Sequence, residues 1–281
     1  MPAAPAEALA APQVDAQLES LLRSAAKDAV DEDAVRASAA SAGVALDEFV
    51  ACVHGAVGAS ALHIAAARGN TRAVRTLVAL GGARALAAVD RSGGTALLSA
   101  AAAGHSGIVD ILLSGGADAN IADARGHCAL HEAADCTEGA RVALARALLG
   151  AGADVNAAAT ASAATALHVA AATAATVEAA ATISVLLEHG ADGAARTAGA
   201  SAADEGETPL DIALRCRHWA AAAALLGAPR INEPLGRFGR CVLHHATMFG
   251  ALDAVQVRTH HITVTFGVHP AHTSNRSPYY L

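Results

Sequence analysis

The chain has 281 residues, a formal net charge of −7 and 54% hydrophobic residues, but only 2% aromatics. A pI near 6.0 argues against a general affinity for nucleic acid or an anionic membrane, because both need clustered Lys and Arg. Alanine dominates the hydrophobic share. It buries little area and favours helix, so the expectation is a helical chain whose thin core is shared between neighbouring helices.

In chain order, residues 1–13 (MPAAPAEALAAPQ) are Pro/Ala-rich and are expected to be disordered. They lack a basic n-region and do not read as a signal peptide. Residues 14–56 read as two or three short amphipathic helices, with Leu18, Leu21 and Leu22 striping one face and Phe49, Val50 and Val53 another. The expected role is a cap over the exposed end of the region C-terminal to it, and a small adaptor domain is the alternative.

From Ser60 onward a short motif recurs: SALHIAAARG, TALLSAAAAG, CALHEAADCT, TALHVAAATA, TPLDIALRCR and CVLHHATMFG. Its leucines, Leu62, Leu97, Leu130, Leu167, Leu210 and Leu243, are separated by 35, 33, 37, 43 and 33 residues, so the period is near 33 with two insertions. A second half-motif comes after each of the first five copies, as in HSGIVDILLSGGADAN, where glycine is expected to stop a second helix. Turn signals precede the copies: DRSGG (90–94), DARGH (123–127), DEGE (204–207) and GRFGR (236–240). The uncharged stretch Ala157–Val177 is long enough to span a bilayer, but it is mostly Ala and Thr with His168 in its middle, so no membrane span is expected. Past residue 257 the register fails, because Arg258 and Thr259 fall where Leu-Leu should be. The tail, 258–281, either caps the stack in a strand-like way or is sequence foreign to this fold, as a truncated or misjoined reading frame would give.

These half-motifs, in order and at one period, resemble ankyrin repeats, about six of them over residues 55–257. The resemblance implies an all-α solenoid of stacked helix-turn-helix units with hairpin-like loops, assigned here to 57–257. Small alanines let paired helices approach closely, while Ile108, Val109, Leu112 and Leu113 supply the apolar face of a second helix. No single pair can bury both its faces, so the pairs must stack.

Histidine is the commonest general base, yet His63, His131, His168 and His244 all stand three residues after Ser60, Cys128, Thr165 and Cys241. The resemblance implies a structural pair at the start of each first helix, the hydroxyl serving an orphan N–H and the imidazole bridging to the next turn. Thr95 and Thr208 hold the same cap position, but Leu98 and Asp211 replace the histidine, so those repeats are expected to be looser at the turn. Repeats roughly 10 Å apart keep the histidines too distant to share a metal. The densest metal-like group is HCALHEAADC, with His127, Cys128, His131, Glu132 and Cys136, but it is not H-E-x-x-H. His260, His261, His269 and His272 in the tail are read as scattered surface residues, and no metal or cofactor is expected. Neither a phosphate loop nor a nucleophile elbow is present. Asp118, Asp154 and Asp192 serve turns, and Asn120 and Asn156 are read as turn residues tolerating left-handed backbone. The resemblance also permits asparagine hydroxylation there.

Five cysteines, Cys52, Cys128, Cys136, Cys216 and Cys241, are too loosely spaced for a disulfide framework and point to a reducing compartment, cytoplasmic or nuclear. The function expected from the resemblance is a monomeric, non-catalytic scaffold that binds another protein through the concave surface. Its contact residues would be Arg91, Ser92, Arg125, His127, Glu205, Glu207, Arg237 and Arg240 on the turns. On the first helices they would be Arg68, His105, Asp135, Arg215, Met248 and Phe249. Prominent arginine suggests a partner with acidic patches. The alternative is the regulatory or targeting portion of a larger enzyme, such as a kinase, ubiquitin ligase, acyltransferase or channel.

Overall fold

The computed structural model describes residues 12–53, 58–136, 139–173, 177–199 and 206–226. Among them lie three N-terminal helices, α1 (Pro12–Ala26), α2 (Glu32–Ala42) and α3 (Leu46–Ala51), and then five helix pairs. The pairs are α4 (Ala61–Arg68) with α5 (Thr71–Leu86), α6 (Ala96–Ala102) with α7 (Ser106–Ser114), α8 (Ala129–Asp135) with α9 (Arg141–Gly150), α10 (Ala166–Thr173) with α11 (Val177–Glu188), and α12 (Pro209–Arg215) with α13 (Trp219–Leu226). No strand forms among the described residues, only the isolated antiparallel bridges Val89–Thr95 and Ala158–Thr165.

First helices of seven or eight residues are too short to persist alone. They persist here by packing in one layer, α4 on α6, α6 on α8, α8 on α10 and α10 on α12, while α5, α7, α9, α11 and α13 form a second layer. The repeat leucines Leu62, Leu97, Leu130, Leu167 and Leu210 are all buried between layers, each contributing about 2 kcal/mol. The alanine pairs Ala65–Ala66, Ala100–Ala101, Ala133–Ala134 and Ala170–Ala171 are fully buried, and their small side chains allow close helix approach. The core is a row of aliphatic side chains shared between the layers, with Leu77, Leu112, Leu144, Leu148 and Leu186 of the second helices facing the leucines of the first. That arrangement is how a nearly aromatic-free chain still closes.

After the second helices, backbone bonds run from Gly116 to Leu113 and Ala117 to Leu112, then from Gly152 to Leu149 and Ala153 to Leu148. The left-handed residues are Gly116 (φ 94°) and Gly152 (φ 85°), as the half-motif predicts. The asparagines differ from expectation. Neither Asn120 nor Asn156 has positive φ. Each instead ties two repeats together: Asn120 Nδ2 donates to the Gly152 carbonyl (3.1 Å) while its Oδ1 accepts from Asp154 N (2.7 Å). Asn156 does the same with Gly190 (3.2 Å) and Asp192 (2.8 Å).

Helix α5 also departs from the pattern. The half-motif predicts a stop at the glycine pair, but the helix continues to Leu86 through a break at Gly82 (φ 49°, ψ −144°). A Cβ at Gly81 would overlap Val50, so this glycine allows α3 to lie against α5.

The N-terminal segment sits where another repeat would stack, α1 on α4 and α3 on α5. Helix α1 starts at Pro12, slightly inside the stretch expected to be disordered. Phe49 and Val50 are buried, but Val53 lies beyond the helix and is 45% exposed, so it does not belong to that stripe. Asp28, itself in a left-handed conformation (φ 56°), accepts the Ala73 N–H at 2.7 Å and so caps α5. Asn70 Nδ2 donates to the Ala25 carbonyl at 2.6 Å.

Candidate functional site

Between successive pairs the chain makes a hairpin-like finger. In the first, the Asp90 amide donates to the Gly94 carbonyl (2.8 Å), and Asp90 Oδ1 accepts from Ser92 N, Ser92 Oγ and Gly94 N. In the second, Asp123 N donates to the His127 carbonyl (2.9 Å), and Asp123 Oδ1 accepts from Arg125 N and His127 N. The third closes from Ala159 N to the Ala164 carbonyl (2.9 Å), one residue longer, with Ala163 at φ 51°. The fourth closes from Thr197 N to the Glu207 carbonyl (3.0 Å). Adjacent fingers are zipped by Ala124 N to Ser92 O (2.8 Å), Thr160 N to Arg125 O (2.9 Å) and Ala198 N to Ser162 O (2.6 Å).

The repeated histidines bind the closing carbonyl of the next finger. His63 Nε2 lies 3.0 Å from Gly94 O, His131 Nε2 3.0 Å from Ala164 O, and His168 Nε2 3.2 Å from Glu207 O and 3.1 Å from Ala195 O. Their Nδ1 atoms accept backbone N–H groups from Ser60 (3.3 Å), Cys128 (3.2 Å) and Thr165 (3.1 Å). An N–H can only donate, so Nδ1 is bare and the proton sits on Nε2. Burial pushes all three imidazoles below the ordinary histidine range, against the pull of those carbonyls and nearby carboxylates. With both nitrogens engaged by backbone, all three imidazoles bridge the start of a first helix to the next finger.

Two repeats lack this histidine, and neither is loose at its own turn. Thr95 still caps α6 by accepting from Leu98 N (3.4 Å), and Leu98 is buried. Asp211 forms a reciprocal cap with Thr208: Thr208 N and Oγ1 donate to Asp211 Oδ2 (3.0 and 2.8 Å), and Asp211 N donates back to Thr208 Oγ1 (3.2 Å). What Leu98 forgoes is the bridge to the next finger.

The HCALHEAADC group is likewise occupied internally. His127 stacks on His131 (centroids 5.3 Å apart, 11° between planes) and its Nδ1 lies 3.3 Å from Glu132 Oε1. Cys128 Sγ is 3.1 Å from His131 Nδ1. Burial raises both the Cys128 and Cys136 thiols, so neither is an activated thiolate. Among the described residues no three His, Cys, Asp or Glu side chains converge to hold a metal.

The contact residues named from sequence occupy different environments. Arg91 and Ser92 are exposed at the first fingertip, although Ser92 is engaged by Asp90. Arg125 pairs with Asp123 (2.9 Å) and Glu132 (3.5 Å). Burial works against the Asp123 carboxylate, but amide bonds from His127 and Arg125 and the Arg125 guanidinium outweigh it and hold the group below its usual range. Arg215 grips Glu207 with two bonds (2.8 and 2.9 Å). These pairs engage two of the arginines that stand out on the mixed-sign surface expected from sequence. Arg68 and Asp135 are exposed at the ends of α4 and α8. His105 is only half-exposed and its ring lies over Gly69, so it packs between repeats. Glu205, Arg237, Arg240, Cys241, His244, Met248 and Phe249 lie outside the described residues, as does the tail.

Two features escape sequence reasoning. Immediately after the histidine position, Ile64, Ser99, Glu132 and Val169 are half-buried, while Ile212 in the fifth pair is buried. A signal for them exists: this register position changes chemistry from copy to copy while the leucine before it does not. Arg141, by contrast, is buried, donating to the Cys136 carbonyl from Nε (3.1 Å) and Nη2 (2.6 Å) and to Thr173 Oγ1 (3.1 Å). It anchors the end of α8 to the next repeat, and nothing periodic announces it.

A family model described as ankyrin repeats (3 copies) matches residues 22–123, 62–159 and 130–233. No curated protein matches the chain.

Proposed function

The chain belongs to the ankyrin repeat family, whose repeats bind other proteins, and from that premise we propose that it is a non-catalytic scaffold holding a partner on its finger-and-first-helix face. One observation carries the reading. The leucine at the core of each first helix does not change along the chain, whereas the position just after the histidine runs Ile64, Ser99, Glu132, Val169 and Ile212. Architecture does not require that variation, and a recognition surface does. Apolar Ile64 and Val169 flank a polar centre in which Glu132 is held by Arg125 and His127. Such a surface fits an extended segment with apolar ends better than a uniformly acidic one.

Cys128 and Cys216 form no disulfide, which together with the loose spacing of the cysteines in the sequence supports an intracellular, reducing setting as part of the proposal. No helix among the described residues is long and apolar enough to cross a membrane.

The test is affinity capture with the full chain, comparing the wild type with the pair Ile64→Arg and Val169→Arg, with circular dichroism as the fold control. The expected outcome is loss of the captured partner from a variant that keeps its helicity. Retention of the same partner at equal yield would remove this face from the proposal.

A further inference from the structure

The distribution of positive charge along the chain is uneven. Arg23 pairs with Glu19, Arg36 with Glu32, Arg84 with Asp47 and Glu48, Arg125 with Asp123 and Glu132, and Arg215 with Glu207. Arg68, Arg72 and Arg75 are exposed and have no carboxylate partner among the described residues, although they fall within one short stretch. Lys27, the sole lysine of the chain, is also exposed and unpaired among the described residues.

The fold gathers these four cations. Asn70 bonds the Ala25 carbonyl at 2.6 Å and Asp28 accepts the Ala73 amide at 2.7 Å, which clamps the turn bearing Lys27 onto the start of α5. Arg68 lies two residues before the Asn70 cap, Arg72 in the first turn of α5, and Arg75 one turn further on the same side as Arg72. The helix terminus itself is already occupied by Asp28, so the feature is the cluster of side-chain cations around it. Among the described residues Arg146 and Arg217 also lack a carboxylate partner, but they stand singly, whereas Arg68, Arg72 and Arg75 fall together where the N-terminal helices meet the first repeat.

We propose that Lys27, Arg68, Arg72 and Arg75 form a docking site for a carboxylate-rich segment of a partner protein. Guanidinium groups bind carboxylates bidentately, and exposed ones lose little hydration on pairing. Asp28, Asp31, Glu32 and Asp33 follow Lys27 in the sequence and Asp28 reaches the start of α5, so a flexible peptide whose side-chain carboxylates are placed one by one between the cations suits the site better than a flat anionic bilayer. The site lies at the junction of the N-terminal helices and the first repeat, and Arg68, one turn from Ile64 on α4, sets it beside the finger-and-first-helix face.

The experiment measures fluorescence anisotropy of labelled deca-glutamate, with deca-glutamine as its neutral counterpart, against the full chain. Deca-glutamate is expected to bind, with affinity falling as salt rises from about 50 to 200 mM. Deca-glutamine is expected not to bind. Charge reversal at Arg68, Arg72 and Arg75 should weaken binding by at least about tenfold. Reversal at Arg36, Arg146 and Arg217, the same change in net charge placed elsewhere, should leave it within about twofold. Carbodiimide coupling, which joins an amine to a carboxylate with loss of water, should link the peptide to the chain at Lys27. Equal loss in both triple variants, no binding by the wild type, or tighter binding of a short single-stranded RNA or of phosphatidylserine vesicles than of deca-glutamate would overturn the proposal. The finger-face variants Ile64→Arg and Val169→Arg should bind the peptide no more weakly than the wild type, which separates this site from the proposed function.

Discussion

The interior junctions and the N-terminal junction solve the same problem with different means. Between repeats, the same devices recur: a buried leucine, paired alanines, a histidine reaching the next finger's closing carbonyl and an asparagine reaching the next turn's backbone. Between α1–α3 and the first repeat no device recurs. Phe49 and Val50 provide the packing, Gly81 makes room, Asp28 and Asn70 provide single bonds, and Arg84 faces Asp47 and Glu48 across the surface. A periodic interface distributes its stability over many small equal terms, while an aperiodic one concentrates it in a few side chains.

The largest expected effect tests that concentration. Phe49→Ala should cost about 3–5 kcal/mol. Hydrogen exchange should show lost protection in α1–α5 with α8–α10 unchanged. Leu130→Ala should cost about 2–5 kcal/mol and loosen the repeats on both sides. Uniform loss of protection in Phe49→Ala would mean that cap and stack unfold as one unit.

Acid should act on the periodic interface first. Folding holds His63, His131 and His168 neutral, while the unfolded chain protonates them near pH 6.5. The unfolded state therefore binds more protons, and stability present above pH 6.5 is lost as the pH falls from there toward the lowered folded values. The slope is about 1.4 kcal/mol per pH unit for each histidine that stays neutral in the fold. Thermal unfolding at stepped pH, with exchange resolved by segment, should show the fingers loosening before the cap. A melting temperature flat between pH 7 and 5 would contradict the bare-Nδ1 arrangement.

Asp28→Ala is expected to cost about 1 kcal/mol, the size of one helix cap, and to fray the start of α5. Chemical denaturation of the variant measures it, and a cost near zero would mean the left-handed backbone of Asp28 cancels its bond. The smallest effect belongs to Leu98→His, which would supply the bridge missing at the second finger. Its net change at neutral pH should stay under about 1 kcal/mol, because a hydrogen bond replaces buried apolar area. It should nevertheless steepen the acid dependence by one histidine's share.

The same contrast governs what is legible in the sequence. Leu62 and its counterparts, the alanine pairs and the glycines after each second helix are legible because repetition turns weak local signals into one strong one. His63 is recognisable as architecture only through its echoes. Arg141, Asp28 and the Gly81–Val50 contact are illegible for the opposite reason: each joins positions far apart in the fold, once, with no second copy to compare. The contact residues fall between these cases. Arg125 and Arg215 stand out as exposed cations, but their pairing with Asp123, Glu132 and Glu207 depends on how the fingers lie on the first helices.

The fourth finger shows what a repeat needs from its loop. Thr197 N and Oγ1 meet the Glu207 backbone, and Arg196 Nη1 donates to the Gly206 carbonyl (3.1 Å), so the finger is sealed at its base and still presents the Glu207 carbonyl to His168. The neighbouring repeat meets the finger through the Glu207 and Ala195 carbonyls and the Ala198 amide, all at its base. For a protein engineer this makes the sealed base, from Arg196 and Thr197 to Gly206 and Glu207, the part of the finger to leave untouched if the stack is to keep its register.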